Sequence, residues 1–299
     1  MKRITRITQN MTKRTPATNI KFHTSLKNKT MIISGASRGI GLAIAKRAAR
    51  DGANIVILAK TDTPHPKLPG TIYTAAKEIE EVGGQALPLK CDIRFEDQVK
   101  ACVEKAVAKF GGIDIVVNNA SAISLTGTEE ITMKKYDLMN NVNARGTFLL
   151  TKTCLPYLKK SSHAHVVMNS PPLFMSEQWF QNHPGYTIAK YGMSLCVLGF
   201  AGEFREFGIS VNSVWPATAI ATSAVKHYLG GDPLMRRSRK DLIVADAIYA
   251  VLTTKPGSVT GGFFIDEDIL RATGVTDLTK YKFDPNVADE DLLEDYFVE

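Results

Sequence analysis

The sequence predicts one doubly wound α/β domain: a seven-stranded parallel sheet with helices on both faces. Three observations lead there. From about residue 29, short apolar runs alternate with longer segments of helical period. Most runs are apolar almost throughout, not at every second residue, as strands covered on both faces must be. The first run also passes into the first helical segment through a glycine-rich turn, Ser34-Gly35-Ala36-Ser37-Arg38-Gly39-Ile40-Gly41.

The runs at 30–34, 54–59, 86–90, 113–118, 165–169, 209–214 and 262–266 are the expected strands. Between them, Ile40, Ile44 and Ala48 line one face of a helix, and Val99, Val103, Ala106 and Phe110 line another. Residues 71–82 read as a helix closed by Gly83-Gly84. Long helices are expected at 133–158 and 186–207, with a further one at 241–253. This is a single Rossmann-type domain without internal repeat. Two segments are irregular: the proline-punctuated 61–70, and 216–239, which ends in the basic cluster Arg236, Arg237 and Arg239. Both leave the carboxyl edge of the sheet, where open α/β folds bind ligands.

Composition narrows the function. The net charge of +7 comes from residues 1–30, which hold eight basic residues and no acid. Residues 31–299 hold 29 basic and 30 acidic residues, so the folded body offers no basic surplus for nucleic acid. Residues 1–28 are expected as a basic, disordered arm or targeting segment, with few buried contacts over 1–21. A targeting segment, a disordered arm, or an upstream start with Met11 as a second initiator all fit it. From Asp284 onward there are acids but no Lys or Arg, the pattern of a solvated tail or an inter-subunit arm over 271–299. No apolar run reaches the ~18–20 residues of a membrane span. The four scattered cysteines form no CxxC pair and suit a reducing compartment, and no metal is called for. A soluble intracellular protein is expected, cytoplasmic or mitochondrial.

The glycine turn points to a cofactor. Its glycines, spaced GxxxGxG, let the backbone approach a pyrophosphate at the positive end of a helix. Ser34, Gly35, Ser37, Arg38, Gly39, Ile40 and Gly41 are therefore candidate cofactor residues. Proteins that bind NAD place a carboxylate at the end of the second strand for the ribose 2′-hydroxyl. Here that strand reads Ile57-Leu58-Ala59-Lys60-Thr61, with no acid before Asp62. Lys60 and Arg38 supply cations suited to a 2′-phosphate, which favours NADP(H); the alternative is a pair of solvated surface charges.

Tyr186 and Lys190 stand four residues apart, on one face of a helix. A nearby ammonium stabilises phenolate and would lower the tyrosine pKa from about 10. The phenol can then give a proton to a carbonyl or take one back. Ser170, ending the fifth strand, could hold the substrate oxygen, and Asn143 could carry a water chain from Lys190. Each residue taken alone is more often a cap or a surface polar group.

Together, the glycine turn, Asn118-Asn119-Ala120, Asn141-Val142-Asn143, Ser170 and Tyr186-Thr-Ile-Ala-Lys190 resemble the short-chain dehydrogenase/reductase family, over about 28–270. The resemblance implies Tyr186 as acid/base, Lys190 on the nicotinamide ribose, Ser170 on the carbonyl and Asn143 in a proton relay. It also implies Asp92 at the adenine, Asn118 supporting the cofactor, and a homodimer or homotetramer through the long helices. The stretches NNASAISLTGT, SPPL and GGFFIDEDIL are similar to a narrower branch whose members continue into a sterol-carrier domain. No such domain is expected within these 299 residues, and a lipid substrate does not follow from the likeness. Three features depart from the family pattern. Ser121 replaces a usual glycine, Pro216-Ala217 replaces Pro-Gly, and Ser170 lies sixteen residues before Tyr186, followed by two prolines. The added loop, 173–184, would bring Phe174, Trp179 and Phe180 over the site, as an apolar substrate or plain packing would want. The leading expectation is an oxidoreductase acting on a carbonyl/alcohol pair. The alternatives are a non-catalytic NADP(H)-binding or redox-sensing protein, and a binder of nucleic acid or membrane surfaces through the arm.

Overall fold

A computed structural model describes residues 14–17, 25–66 and 68–299. Seven parallel strands run β1 (Thr30–Ser34), β2 (Asn54–Ala59), β3 (Gln85–Lys90), β4 (Ile115–Asn118), β5 (His165–Asn169), β6 (Ser210–Trp215) and β7 (Phe263–Ile265). They lie side by side in the order β3-β2-β1-β4-β5-β6-β7. The order reverses between β1 and β4, so a crevice opens beyond their carboxyl ends.

Alternate residues of each strand feed opposite faces, and both faces are dry. Ile33, Ile57 and Val117 pack with α1 (Gly39–Ala49), α2 (Ile72–Glu81) and α8 (Leu242–Leu252). Ile32, Val56, Val116 and Val166 pack on the other face with α3 (Glu96–Phe110), α5 (Gly146–Leu158) and α6 (Pro184–Glu203). This two-sided burial is why the strands are apolar throughout. The remaining helices are α4 (Met133–Asn140), α7 (Gly231–Arg236) and α9 (Asp266–Ala272). The last two were not anticipated: both are short, and α9 takes Asp266, which had been assigned to the seventh strand.

Local chemistry sets several boundaries. Thr71 and Thr74 form a reciprocal cap on α2. Pro184 opens α6, where its missing N–H costs nothing, two residues earlier than the sequence pattern suggests. The long helix expected at 133–158 is divided by a π-helical segment, Asn141–Arg145, which carries Asn143.

The two ends of the chain depart most from expectation. Within the expected arm, Thr15 N donates to Phe263 O at 2.7 Å, Phe263 N donates to Thr15 Oγ1 at 2.9 Å, and Ala17 is buried. Residues 14–17 thus dock on the open edge of β7; the rest of the expectation for 1–24 lies outside the described residues. Leu26 is buried, and Asp51 accepts its N–H at 2.6 Å.

Residues 271–299 are not a solvated tail. Buried Arg239 donates to Glu267 at 2.9 Å and to the Leu278 carbonyl at 3.2 Å, and Lys282 pairs with Asp289 at 3.0 Å. Arg237 donates to the Asp291 carbonyl at 2.7 Å. Two of the three arginines of the basic cluster, Arg237 and Arg239, are therefore turned to the acidic end of the sequence, at Asp291 and Asp289. No helix among the described residues is long and apolar enough to cross a membrane.

Candidate active site

The glycine turn follows β1 at the crevice. Gly35 sits at φ +72°, and a Cβ there would come within 2.9 Å of the Ala120 backbone, so only glycine fits. Asn119 clamps the turn: its Nδ2 donates to the carbonyls of Ser34 (3.1 Å) and Gly35 (3.3 Å), while its backbone N–H meets Ser34 Oγ at 3.1 Å. The cleft in front has a volume of about 430 Å³. Gly35, Ser37, Arg38, Gly39 and Ile40 line one side of it, Lys60, Asp92 and Ala120 another, and Asn169 its inner end.

Polar groups around the cleft are unevenly committed. Arg38 donates through Nε to Pro69 O (3.0 Å) and through Nη2 to Gly70 O (2.7 Å), which ties the proline loop down over the cleft. Asp62, the first acid after β2, pairs with Lys90 at 2.8 Å. Asp92 is gripped by the Arg94 guanidinium at 2.6–3.1 Å. That pairing holds its carboxyl below the usual range, against the opposing effect of burial. Asn118 donates to Thr151 Oγ1 at 2.9 Å, and the buried Oδ1 atoms of Asn118 and Asn169 have no hydrogen-bond partner among the described residues.

Asn143 is fixed by a two-way bond to Ala122. Its Oδ1 accepts from the Ala122 N–H at 2.8 Å, and its Nδ2 donates to the Ala122 carbonyl at 3.0 Å. The π-helical turn presents it to that loop, a use of π turns common at functional sites.

Tyr186 and Lys190 lie one turn apart on α6, 5% and 2% exposed. Lys190 Nζ donates to the Asn169 carbonyl at 2.7 Å and lies 4.7 Å from the centre of the Trp215 ring. Burial brings its pKa down to about 7, with Asp295 opposing. The phenol behaves contrary to expectation: burial, and then Asp295 and Tyr296, push its pKa up. The ammonium is turned to Asn169, so it does not offset these effects. Asp295 is itself pushed up to about 7 by burial. Ser170, next after Asn169, is fully buried, and its Oγ has no partner among the described residues.

The inserted loop follows α6 closely. Tyr191 donates to the Phe174 carbonyl at 2.5 Å, Ser194 donates to the Pro171 carbonyl at 2.6 Å, and Thr187 donates to the Trp179 carbonyl. Phe174 is buried in this packing, whereas Trp179 and Phe180 are half-buried, with Phe180 edge-on to Tyr191 at 5.4 Å and Trp179 5.6 Å from the Phe297 ring.

Two parts of the neighbourhood were not singled out from sequence. Asn119 was visible as part of Asn-Asn-Ala, but its clamping role needs the β1–β4 juxtaposition. His183, three residues before Tyr186, is buried with its ring edge-on to the phenol at 6.1 Å and its Nδ1 unpartnered among the described residues.

The sequence profile of the short chain dehydrogenase family matches residues 29–229, through β1, the glycine turn and α6. The chain belongs to that family. Its members are oxidoreductases that bind a nicotinamide cofactor. This short-chain dehydrogenase is 57% identical to hydroxysteroid dehydrogenase-like protein 2 of Xenopus laevis over 270 residues, 90% of this chain and 63% of that protein. It is 56% identical to the protein of that name from Homo sapiens over the same length and shares. The chain thus spans somewhat less than two thirds of these relatives. It is also similar to a solved short chain dehydrogenase from Mycobacterium thermoresistibile, with a TM-score of 0.86 and 53% identity over 92% of this chain and 96% of that one.

Proposed function

We propose that this short-chain dehydrogenase, over about residues 29–270, is an NADP(H)-dependent enzyme. It would move hydride between nicotinamide and a carbonyl/alcohol pair, with Tyr186 as general acid/base. The observation that carries the reading is the convergence at one sheet edge. Asn169 lines the glycine-turn cleft, Lys190 donates to its carbonyl, Ser170 is its next residue, and Tyr186 stands one turn before Lys190 on α6.

The residues fit a dinucleotide. A cradle that a Cβ would fill stands at Gly35, and two buried amide oxygens, on Asn118 and Asn169, have no donor among the described residues. Arg38 and Lys60 line the cleft, while Asp62 is occupied by Lys90, which favours a 2′-phosphate over a free 2′-hydroxyl. NADP(H), when bound, supplies or takes up the hydride.

Tyr186 Oη gives its proton to the substrate oxygen as charge develops there, and recovers it in the reverse direction. Ser170 Oγ, buried and without a partner among the described residues, can donate to that oxygen. Lys190 is assigned to the ribose hydroxyls, Asn143 to the water chain behind Lys190, and Asp92 to the adenine end. Ile188, Leu195 and Leu198 are exposed on α6, and Phe148 on α5. The open faces of Gly199 and Gly202 add room for a close approach. This stripe supports a homodimer or homotetramer through these helices.

Tyr186→Phe tests the enzyme against the non-catalytic binder. NADPH affinity by fluorescence titration should stay within a few-fold, while turnover on any active carbonyl should fall by roughly 10²–10⁴. Retained turnover would remove Tyr186 from the chemistry.

A further inference from the structure

Tyr186 is buried and does not line the cleft, and the chain's own residues 293–299 pack against it, with the Phe297 ring 6.2 Å from the phenol ring. Leu293 N donates to Arg237 O at 2.9 Å and Asp295 N to Ala217 O at 3.0 Å, which lays the segment beside the turn after β6. Trp215 Nε1 then donates to Tyr296 O at 2.6 Å. At the far end, Glu299 accepts from Trp179 Nε1 (2.7 Å), from Gln178 Nε2 (3.0 Å) and from Ser176.

Between these ties sits Phe297, 0% exposed. Its ring lies 5.3 Å from Tyr191, 5.6 Å from Trp179, and 6.2 Å from both Trp215 and Tyr186. Its backbone is at φ +65°, a conformation that a bulky residue keeps only when its surroundings impose it. An apolar ring is therefore held in strain directly beside the candidate acid, in a cage built from the inserted loop, α6 and β6.

We propose that residues 293–299 are a removable strap, and that the Phe297 cage is the subsite for the ring-sized apolar part of the carbonyl substrate. The substrate displaces Phe297 to reach Tyr186. The proposal rests on the oxidoreductase reading for the identity of the ligand as a carbonyl compound. Three features support it. The aromatic walls suit a flat or cyclic apolar group. His183 Nδ1, on the ring edge-on to Tyr186, and Ser170 Oγ, next to the Asn169 that holds Lys190, are buried without partners among the described residues, ready for a polar end of a ligand. The seated strap also brings Asp295 and burial to bear on Tyr186, both of which keep the proton on the phenol. Glu299 is the latch, since its exposed carboxylate collects three donors from the inserted loop.

The chain's two tryptophans, Trp179 and Trp215, both touch the strap, so their emission reads its seating without any turnover. On the full chain with NADPH present, Glu299→Gln should shift the seated population by about tenfold, the loss expected of charge-assisted hydrogen bonds. That would be read as stronger acrylamide quenching of tryptophan emission. Phe297→Ala should do the same. Measured by calorimetry, it should also bind 2-tetralone at least about tenfold more tightly than the parent, as emptied apolar cavities bind apolar rings. Should Phe297→Ala fail to fold, the surface variant Glu299→Gln carries the quenching test and should itself tighten 2-tetralone binding. Unchanged quenching in the folded variants, or equal 2-tetralone affinity across parent and variants, overturns the proposal. A protein that passes both but reduces no carbonyl contradicts the oxidoreductase reading alone. An active one that fails them contradicts the strap alone.

Discussion

Gly41→Ala is the sharpest probe of the cofactor turn, because space alone forbids the methyl group. A Cβ at Gly41 would lie 2.5 Å from the Gly35 carbonyl oxygen, 2.6 Å from Asn119 Nδ2 and 3.0 Å from Ala36 Cα. Two of these three are backbone atoms and cannot rotate aside. The third belongs to the amide whose bonds to Ser34 and Gly35 hold the turn in shape. Overpacking of this kind costs about 1–3 kcal/mol, and each Asn119 bond lost adds about 1 kcal/mol. Summed, the loss is about 2–5 kcal/mol, which for a chain of this size lowers Tm by roughly 5–15 °C. NADPH affinity should fall at least about tenfold, since displacing the turn by even 1.4 kcal/mol has that effect. Gly112→Ala is the control: a Cβ there meets nothing within 4 Å, and stability should stay within about 0.5 kcal/mol. Thermal melts with and without NADPH, beside a fluorescence titration, give both numbers. If Gly41→Ala melts and binds like the control, the close packing of the turn against Asn119 is not what shapes this site.

Two further outcomes follow from charge. Lys60→Asp should weaken NADPH binding by about 1.5–3 kcal/mol, with NADH affected less or improved; an unchanged NADPH/NADH ratio would refute the assignment to a 2′-phosphate. His165, fully buried at the start of β5, has its pKa depressed to about 3 by burial and then by neighbouring His163. The folded ring stays neutral while the unfolded chain takes up a proton below about 6.5, so the penalty is absent above that pH and grows as pH falls toward 3. Relative to the parent, His165→Asn should therefore gain about 2 kcal/mol between pH 7 and pH 5, from 1.36 kcal/mol per unit. Urea melts at the two pH values isolate this difference from other titrating groups, and identical pH dependence in parent and variant would rule it out.

What the sequence determined by itself is local and periodic. Strands buried on both faces must be apolar residue after residue, so β1, β2 and β5 were legible to the residue. The glycine turn was legible because Gly35 and Gly41 answer steric demands within one short segment and its immediate neighbour. Tyr186 and Lys190 were legible because a helix places residues four apart on one face. The rest depended on which distant segments meet. That Lys190 turns to the Asn169 carbonyl, that Asp92 is taken by Arg94, and that Asn119 clamps the turn are choices among competing partners, and periodicity does not rank them. The acidic run after Asp284 shows the limit most clearly. Read alone, its charges belong in water. Arg237, Arg239 and Lys282 absorb its backbone and carboxylates, and Phe297 finds an aromatic cage, so the same residues pack against Tyr186 and Tyr191. The free energy of burying a charged segment is set by the partners that the fold brings to it, and the segment's own residues do not encode them.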